Sequence, residues 1–72
     1  MPTIVVLDGV AHFAHPDKDG ETFCGESYTH DTADRIVSGA RYADDLMAQV
    51  VTEEDADVCD ECVARSEEWA AP

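Results

Sequence analysis

The sequence has almost no lysine. Lys18 stands alone, Arg35, Arg41 and Arg65 are the only other basic side chains, and 17 Asp and Glu oppose them, for a net charge of −13. Phosphate binding needs a row of cations, and these four are scattered among acids. Nucleic acid is therefore a less favoured partner than protein. Long apolar runs are missing too. Ile4–Leu7 and Leu46–Val51 are the longest, far below the roughly 20 residues of a membrane span. Residues 1–10 carry no Lys or Arg, and their short apolar run ends at Asp8-Gly9, so no secretory signal is read. The expected setting is a cytosol, or a particle assembled in one, with no membrane.

Cysteine is scarce and odd in number: Cys24, Cys59 and Cys62. An odd count in a cytosolic setting argues against a disulfide framework. Catalytic patterns are missing as well. There is no Gly-rich phosphate loop and no convincing Ser-His-Asp order. A deaminase-like site needs His-x-Glu beside Cys-x-x-Cys, but Ala14 follows His12 by two residues and Asp17 follows His15 by two. The chain is not expected to be an enzyme.

What is present must make a fold from 72 residues, read as one domain over residues 1–72. A chain this short buries only roughly 60% of its unfolded surface, and its core alone rarely supplies more than a few kcal/mol. It needs a staple. It is not a disordered acidic tail, because 44% of its residues are hydrophobic and disorder requires low hydrophobicity together with high charge. At about 1 M salt the Debye length falls to roughly 3 Å and the self-repulsion largely disappears. A folded surface this acidic resembles those of proteins from salt-loving archaea.

Thr3–Leu7 is β-branched and reads as a strand. Val10–Ala14 continues or restarts it. Pro16-Asp17-Lys18-Asp19-Gly20 is turn chemistry, and Glu21–Cys24 returns, which predicts a β-hairpin over 10–24. Asp31 or Thr32 can cap a short helix through Ile36 and Val37, closed by Gly39. Tyr42, Leu46 and Val50 recur every four residues, which favours a helix over 40–48, with a strand over Leu46–Val51 as the alternative. Thr52 before Glu53, Glu54 and Asp55 signals another helix start. Asp60–Ala71 reads as a C-terminal helix, with Cys62, Ser66 and Trp69 on one face and acids in its first turn, where the helix dipole favours them.

Cys59-Asp60-Glu61-Cys62 is a Cys-x-x-Cys. At the start of a helix it lets two thiolates converge on one ion. Structural Zn²⁺ takes four Cys and His ligands in a tetrahedron. Cys24-Gly25, at a strand end, suits a zinc knuckle because glycine permits the tight turn. A histidine completes the set. His12 lies on the proposed hairpin strand and can face Cys24; His15, at the turn, and His30, in a polar loop, are the alternatives. The fold class is thus α+β: a small zinc finger, hairpin plus C-terminal helix, clamped by one structural zinc.

Val10-Ala11-His12-Phe13-Ala14, then Thr22-Phe23-Cys24-Gly25, then Val51-Thr52 and Asp57-Val58-Cys59-Asp60-Glu61-Cys62-Val63 resembles the pattern of small His/Cys₃ zinc-finger proteins of haloarchaea, actinobacteria and their viruses. The resemblance covers residues 10–25 and 51–65 and implies His12, Cys24, Cys59 and Cys62 as ligands. Val58 replaces a customary Thr, and the N-terminal strand and long middle segment are additions. The family implies no activity. The functional expectation is a structural zinc protein acting through a protein partner or homo-oligomer, cellular or virion-associated in a halophilic host. The alternative is a zinc-finger regulator that binds nucleic acid or a transcription-related protein. The docking surface is expected on an edge strand Ile4–Leu7 or around Tyr42, Leu46 and Trp69.

Overall fold

The computed structural model describes residues 2–39 and 42–70. It is a small α+β fold with a four-stranded sheet and two helices. Strands β1 (Thr3–Leu7) and β2 (Val10–Phe13) form an antiparallel hairpin, with Val5 opposite His12 and Leu7 opposite Val10. Asp8 and Gly9 make the turn with φ of 50° and 77°. Positive φ at both central residues is the geometry that matches strand twist in two-residue hairpins, and Asp-Gly is among its preferred pairs.

This relocates the predicted hairpin. Of the 10–24 pairing there remain an isolated bridge, Ala14 to Thr22, and backbone bonds such as Phe23 N–H to Phe13 C=O at 3.0 Å. The 14–28 segment instead folds as a series of turns over the end of β2. Strand β1 is not an edge. The sheet order is β3-β1-β2-β4, and β3 (Arg35–Ser38) pairs antiparallel along β1's outer side.

Strand β3 overturns the helix expected through Ile36 and Val37. The capping chemistry is present but is spent locally. Thr29 and Thr32 bond each other's backbone and hydroxyls, Thr29 N–H donating to Thr32 Oγ1 at 2.7 Å. The turn stops there, and Asp34 N–H donates to Val6 C=O at 2.8 Å. Joining an existing strand satisfies the backbone and suits two β-branched residues.

Helix α1 (Ala43–Glu54) is longer than the 40–48 expectation, and residues 40 and 41 lie outside the described residues. Its buried face is Leu46, Met47 and Val50. Thr52 does not begin a new helix. Its hydroxyl donates to Ala48 C=O at 2.9 Å, the i−4 bond of a threonine inside a helix. Asp55 ends α1 in the left-handed region and donates its N–H to Val51 C=O.

Register sorts the sheet's side chains. Ile4 pairs with Phe13 and Val6 with Ala11, so these four share one face, and they form the core with Leu46, Met47 and Val50 of α1. Val5 and His12 therefore point to the opposite face. Both are buried. The two-residue strand β4 (Asp57–Val58) runs parallel beside β2 and leads into α2 (Asp60–Ala70), which follows the sequence expectation, residue 71 lying outside the described residues.

Candidate metal centre

Three short segments meet at the end of β2. The strand supplies His12. The turn after Thr22 supplies Cys24. The β4–α2 junction supplies Cys59 and Cys62. Cys59 N–H donates to Ala11 C=O at 2.9 Å, which ties the first cysteine of the pair to the histidine strand, and Cys59 C=O accepts from Val63 N–H as α2 begins. One helical turn later Cys62 returns to the same point, fully buried.

The donor atoms of His12, Cys24, Cys59 and Cys62 all lie within 4.8 Å of one another. His12 Nδ1 is 3.4 Å from Cys24 Sγ and 3.4 Å from Cys62 Sγ. A tetrahedral ion with Zn–S about 2.3 Å and Zn–N about 2.0–2.1 Å places a sulfur and a nitrogen ligand about 3.5 Å apart. The two measured separations fit that shape. All three cysteines are free thiols, so no sulfur is withdrawn into a disulfide. The four side chains can hold one metal ion, and a Cys₃His set is consistent with zinc.

The other histidines are elsewhere. His15 accepts the Asp17 N–H on Nδ1 at 3.1 Å, and its ring packs 4.7 Å from Phe23. His30 is exposed in a turn. Neither joins the cluster.

The turn around Cys24 is tight. Gly25 takes φ +93° and donates its N–H to Thr22 C=O at 3.0 Å, while Thr22 N–H donates to Glu26 C=O at 2.9 Å. A side chain at that φ would be strained. Thr22 is a site residue that only its place two before Cys24, in Thr22-Phe23-Cys24-Gly25, could signal. It is 2% exposed. Its Oγ1 accepts the Glu26 N–H at 3.1 Å and lies 3.1 Å from Cys24 Sγ. With one lone pair so engaged, the hydroxyl hydrogen is free to point at sulfur. Such outer-shell contacts commonly set 10- to 100-fold in metal affinity (about 1.4–2.7 kcal/mol). Thr22→Val should therefore weaken metal binding about tenfold or more while one metal still binds. Chelator competition reads this directly, and an unchanged affinity would remove Thr22 from the site.

Electrostatics prepare the donors unequally. Burial lowers the His12 pKa, with Glu26 pulling the other way, so the imidazole is held neutral with a lone pair for a metal. For Cys24, burial raises the pKa but is outweighed by hydrogen bonds from Thr22, the Glu26 backbone and the other two cysteines, leaving it lowered. Burial pushes the Cys62 thiol up to about 12. Without metal, Cys62 keeps its proton at neutral pH, and a bound metal must expel it. Affinity should therefore rise about tenfold or more per pH unit around neutrality. His12 acts in the same direction lower down. Its folded pKa lies below 6.5, so the unfolded chain takes the proton first and folding weakens as pH falls through that value. Metal affinity measured at pH 6, 7 and 8 would test this, and a flat profile would contradict it.

Comparison with family models, curated proteins and solved structures returns no match. The site's chemistry therefore rests on its own geometry: a small protein with a candidate His/Cys₃ metal centre. Among the described residues no helix is long and apolar enough to cross a membrane.

Proposed function

We propose that the metal is zinc, that its role is structural, and that the domain works by binding another protein. The carrying observation is a contrast in burial. Two of the four donors are buried, His12 at 7% exposed and Cys62 completely, and Cys24 and Cys59 are half-buried, whereas Tyr42 and Trp69 stand 83% and 54% exposed. Four protein donors saturate a tetrahedral ion and leave no position for substrate water, which supports a non-catalytic reading. Large aromatics left in solvent suit an interface, where Trp and Tyr are enriched among the residues that dominate binding. Leu46, expected beside them on the docking surface, is core instead.

The acidic surface supports a salt-rich setting, in the cytoplasm of a halophile or in a virion assembled there. The order of the four residues along the chain supports kinship with small His/Cys₃ zinc fingers. Of the four basic side chains, Arg35 reaches Glu54 at 2.8 Å and Arg65 reaches Glu61 at 3.0 Å, which supports protein over nucleic acid as the partner.

Two measurements test this reading. The melting temperature of the metal-loaded chain should rise between about 0.1 M and about 2 M KCl as self-repulsion is screened; a fall would argue against a salt-rich setting. Partners captured on the metal-loaded chain should be purified and mixed back with it. A stoichiometric complex lost on chelation is the expected result. Tight binding to nucleic acid, with no such complex, would overturn the reading in favour of a regulator.

A further inference from the structure

A half-open groove of about 610 Å³ lies between the last turns of α2, the start of α1 and the 13–28 segment. It begins one residue from the metal centre, at Phe23. Its wall is aromatic. The Phe23 and Trp69 rings are 6.0 Å apart at 66°, and His15 lies 4.7 Å and 5.9 Å from them. Trp69 remains half exposed despite these contacts.

Charge says what kind of visitor. Asp19, Asp44 and Glu67 edge the groove against one cation, Lys18. Glu67 and Glu68 also lie in the final turn of α2, which carries no basic residue. Acids at the negative end of a helix dipole are unfavourable, and a cation there is favourable. The groove thus combines aromatic faces with a negative potential that the described part of α2 does not neutralise. Guanidinium suits both features: it is planar, weakly hydrated, stacks on aromatic faces and pairs with carboxylates through fixed donors.

We propose that this groove docks an arginine-bearing peptide segment of a partner protein, with the guanidinium against Trp69 and Phe23 and its donors turned to Glu67 and Asp44. The inference rests on the protein-binding reading above and names the surface and the chemistry of the partner. It also explains why a metal centre should sit here. Cys62 is the one α2 side chain among the described residues that is buried, so the metal that holds Cys62 holds the helix wall carrying Trp69.

The test uses the metal-loaded full chain and short Gly-Ser peptides carrying two arginines, two lysines or two glutamines. Binding is read by calorimetry and by the fluorescence of Trp69, the single tryptophan. The arginine peptide should bind, the lysine peptide more weakly, and the glutamine peptide not measurably. Trp69→Ala should weaken the arginine peptide about tenfold, and Glu67→Gln should weaken it about threefold at low salt. Both variants should keep one bound metal, which shows that they are folded. Equal binding of arginine and glutamine peptides, or no loss in either metal-loaded variant, overturns the proposal. The two readings can fail separately. A reconstituted partner complex that ignores Trp69→Ala sinks the groove and spares the protein-binding reading. A groove that binds the arginine peptide while no partner complex can be reconstituted does the reverse.

Discussion

Chelating the metal is expected to unfold this chain. The four donors come from three segments, β2, the Cys24 turn and the β4–α2 junction. The unfolded chain has none of their mutual geometry, so the binding energy of the metal becomes folding energy. In zinc fingers that term is about 10–16 kcal/mol at neutral pH, against a typical net stability of about 5–15 kcal/mol for a whole domain. Here the loss should begin at α2. Among its described side chains only Cys62 is buried, and an isolated helix of this length is marginal in water. The core between α1 and the sheet has more to hold it: Ile4, Val6, Phe13, Leu46, Met47 and Val50 are all buried there. Circular dichroism should lose helical signal on chelation, the Trp69 emission should shift to that of solvent-exposed indole, and both should recover when zinc is returned. An unchanged cooperative melt, with metal removal verified by native mass spectrometry, would show that the metal is not the staple.

Cys62→Ala should be the most damaging single substitution at the centre. Cys62 is the only donor that is both part of the metal cluster and fully inside the apolar core. Its removal deletes a ligand, leaves a void beside Phe13 and frees α2 from the one side chain that is buried among its described residues. The expected outcome is no metal at one equivalent and a chain unfolded at 25 °C, a loss of several kcal/mol. Cys24→Ala, Cys59→Ala and His12→Ala should also lose tight binding. His30→Ala should keep the metal and full stability. His15→Ala should keep the metal too, losing about 1 kcal/mol with its contacts to Phe23 and Trp69. Cobalt substitution gives the readout, since the visible bands of tetrahedral cobalt thiolate report each lost ligand. A Cys62→Ala chain that still bound cobalt tetrahedrally would refute the assignment, and so would a His15→Ala chain that did not.

Why the metal cluster could be read from residues alone, while the sheet could not, is a matter of how far each signal reaches. Cys59-x-x-Cys62 at a helix start and Cys24 before Gly25 are local devices. Few residue types bind metal softly, so three cysteines and three histidines leave few combinations. The hairpin is also written locally, in Asp8-Gly9 between two apolar runs, but Pro16-Asp17-Lys18-Asp19-Gly20 is a second turn, and the pairing it makes is reduced to the Ala14–Thr22 bridge and the Phe23–Phe13 and His15–Glu21 backbone bonds. The segment 29–38 held a true conflict. Thr29 and Thr32 start a turn, Ile36 and Val37 suit helix period and strand alike, and only the open edge of β1 decided between them.

By itself the sequence determined the acidic surface, the C-terminal helix from Asp60 and the donor types a metal would find. Those are properties of composition and of neighbours within one turn. Tertiary structure decided that β1 lies inside the sheet, that Thr22 touches the sulfur of Cys24, and that Phe23 and Trp69 pack edge to face in one wall of an acid-edged groove; it also brought His12, the histidine the sequence favoured over His15 and His30, to the cysteines. Each of these depends on which strand edge captured which segment, and that choice is made by burial and hydrogen bonding between residues distant in the chain.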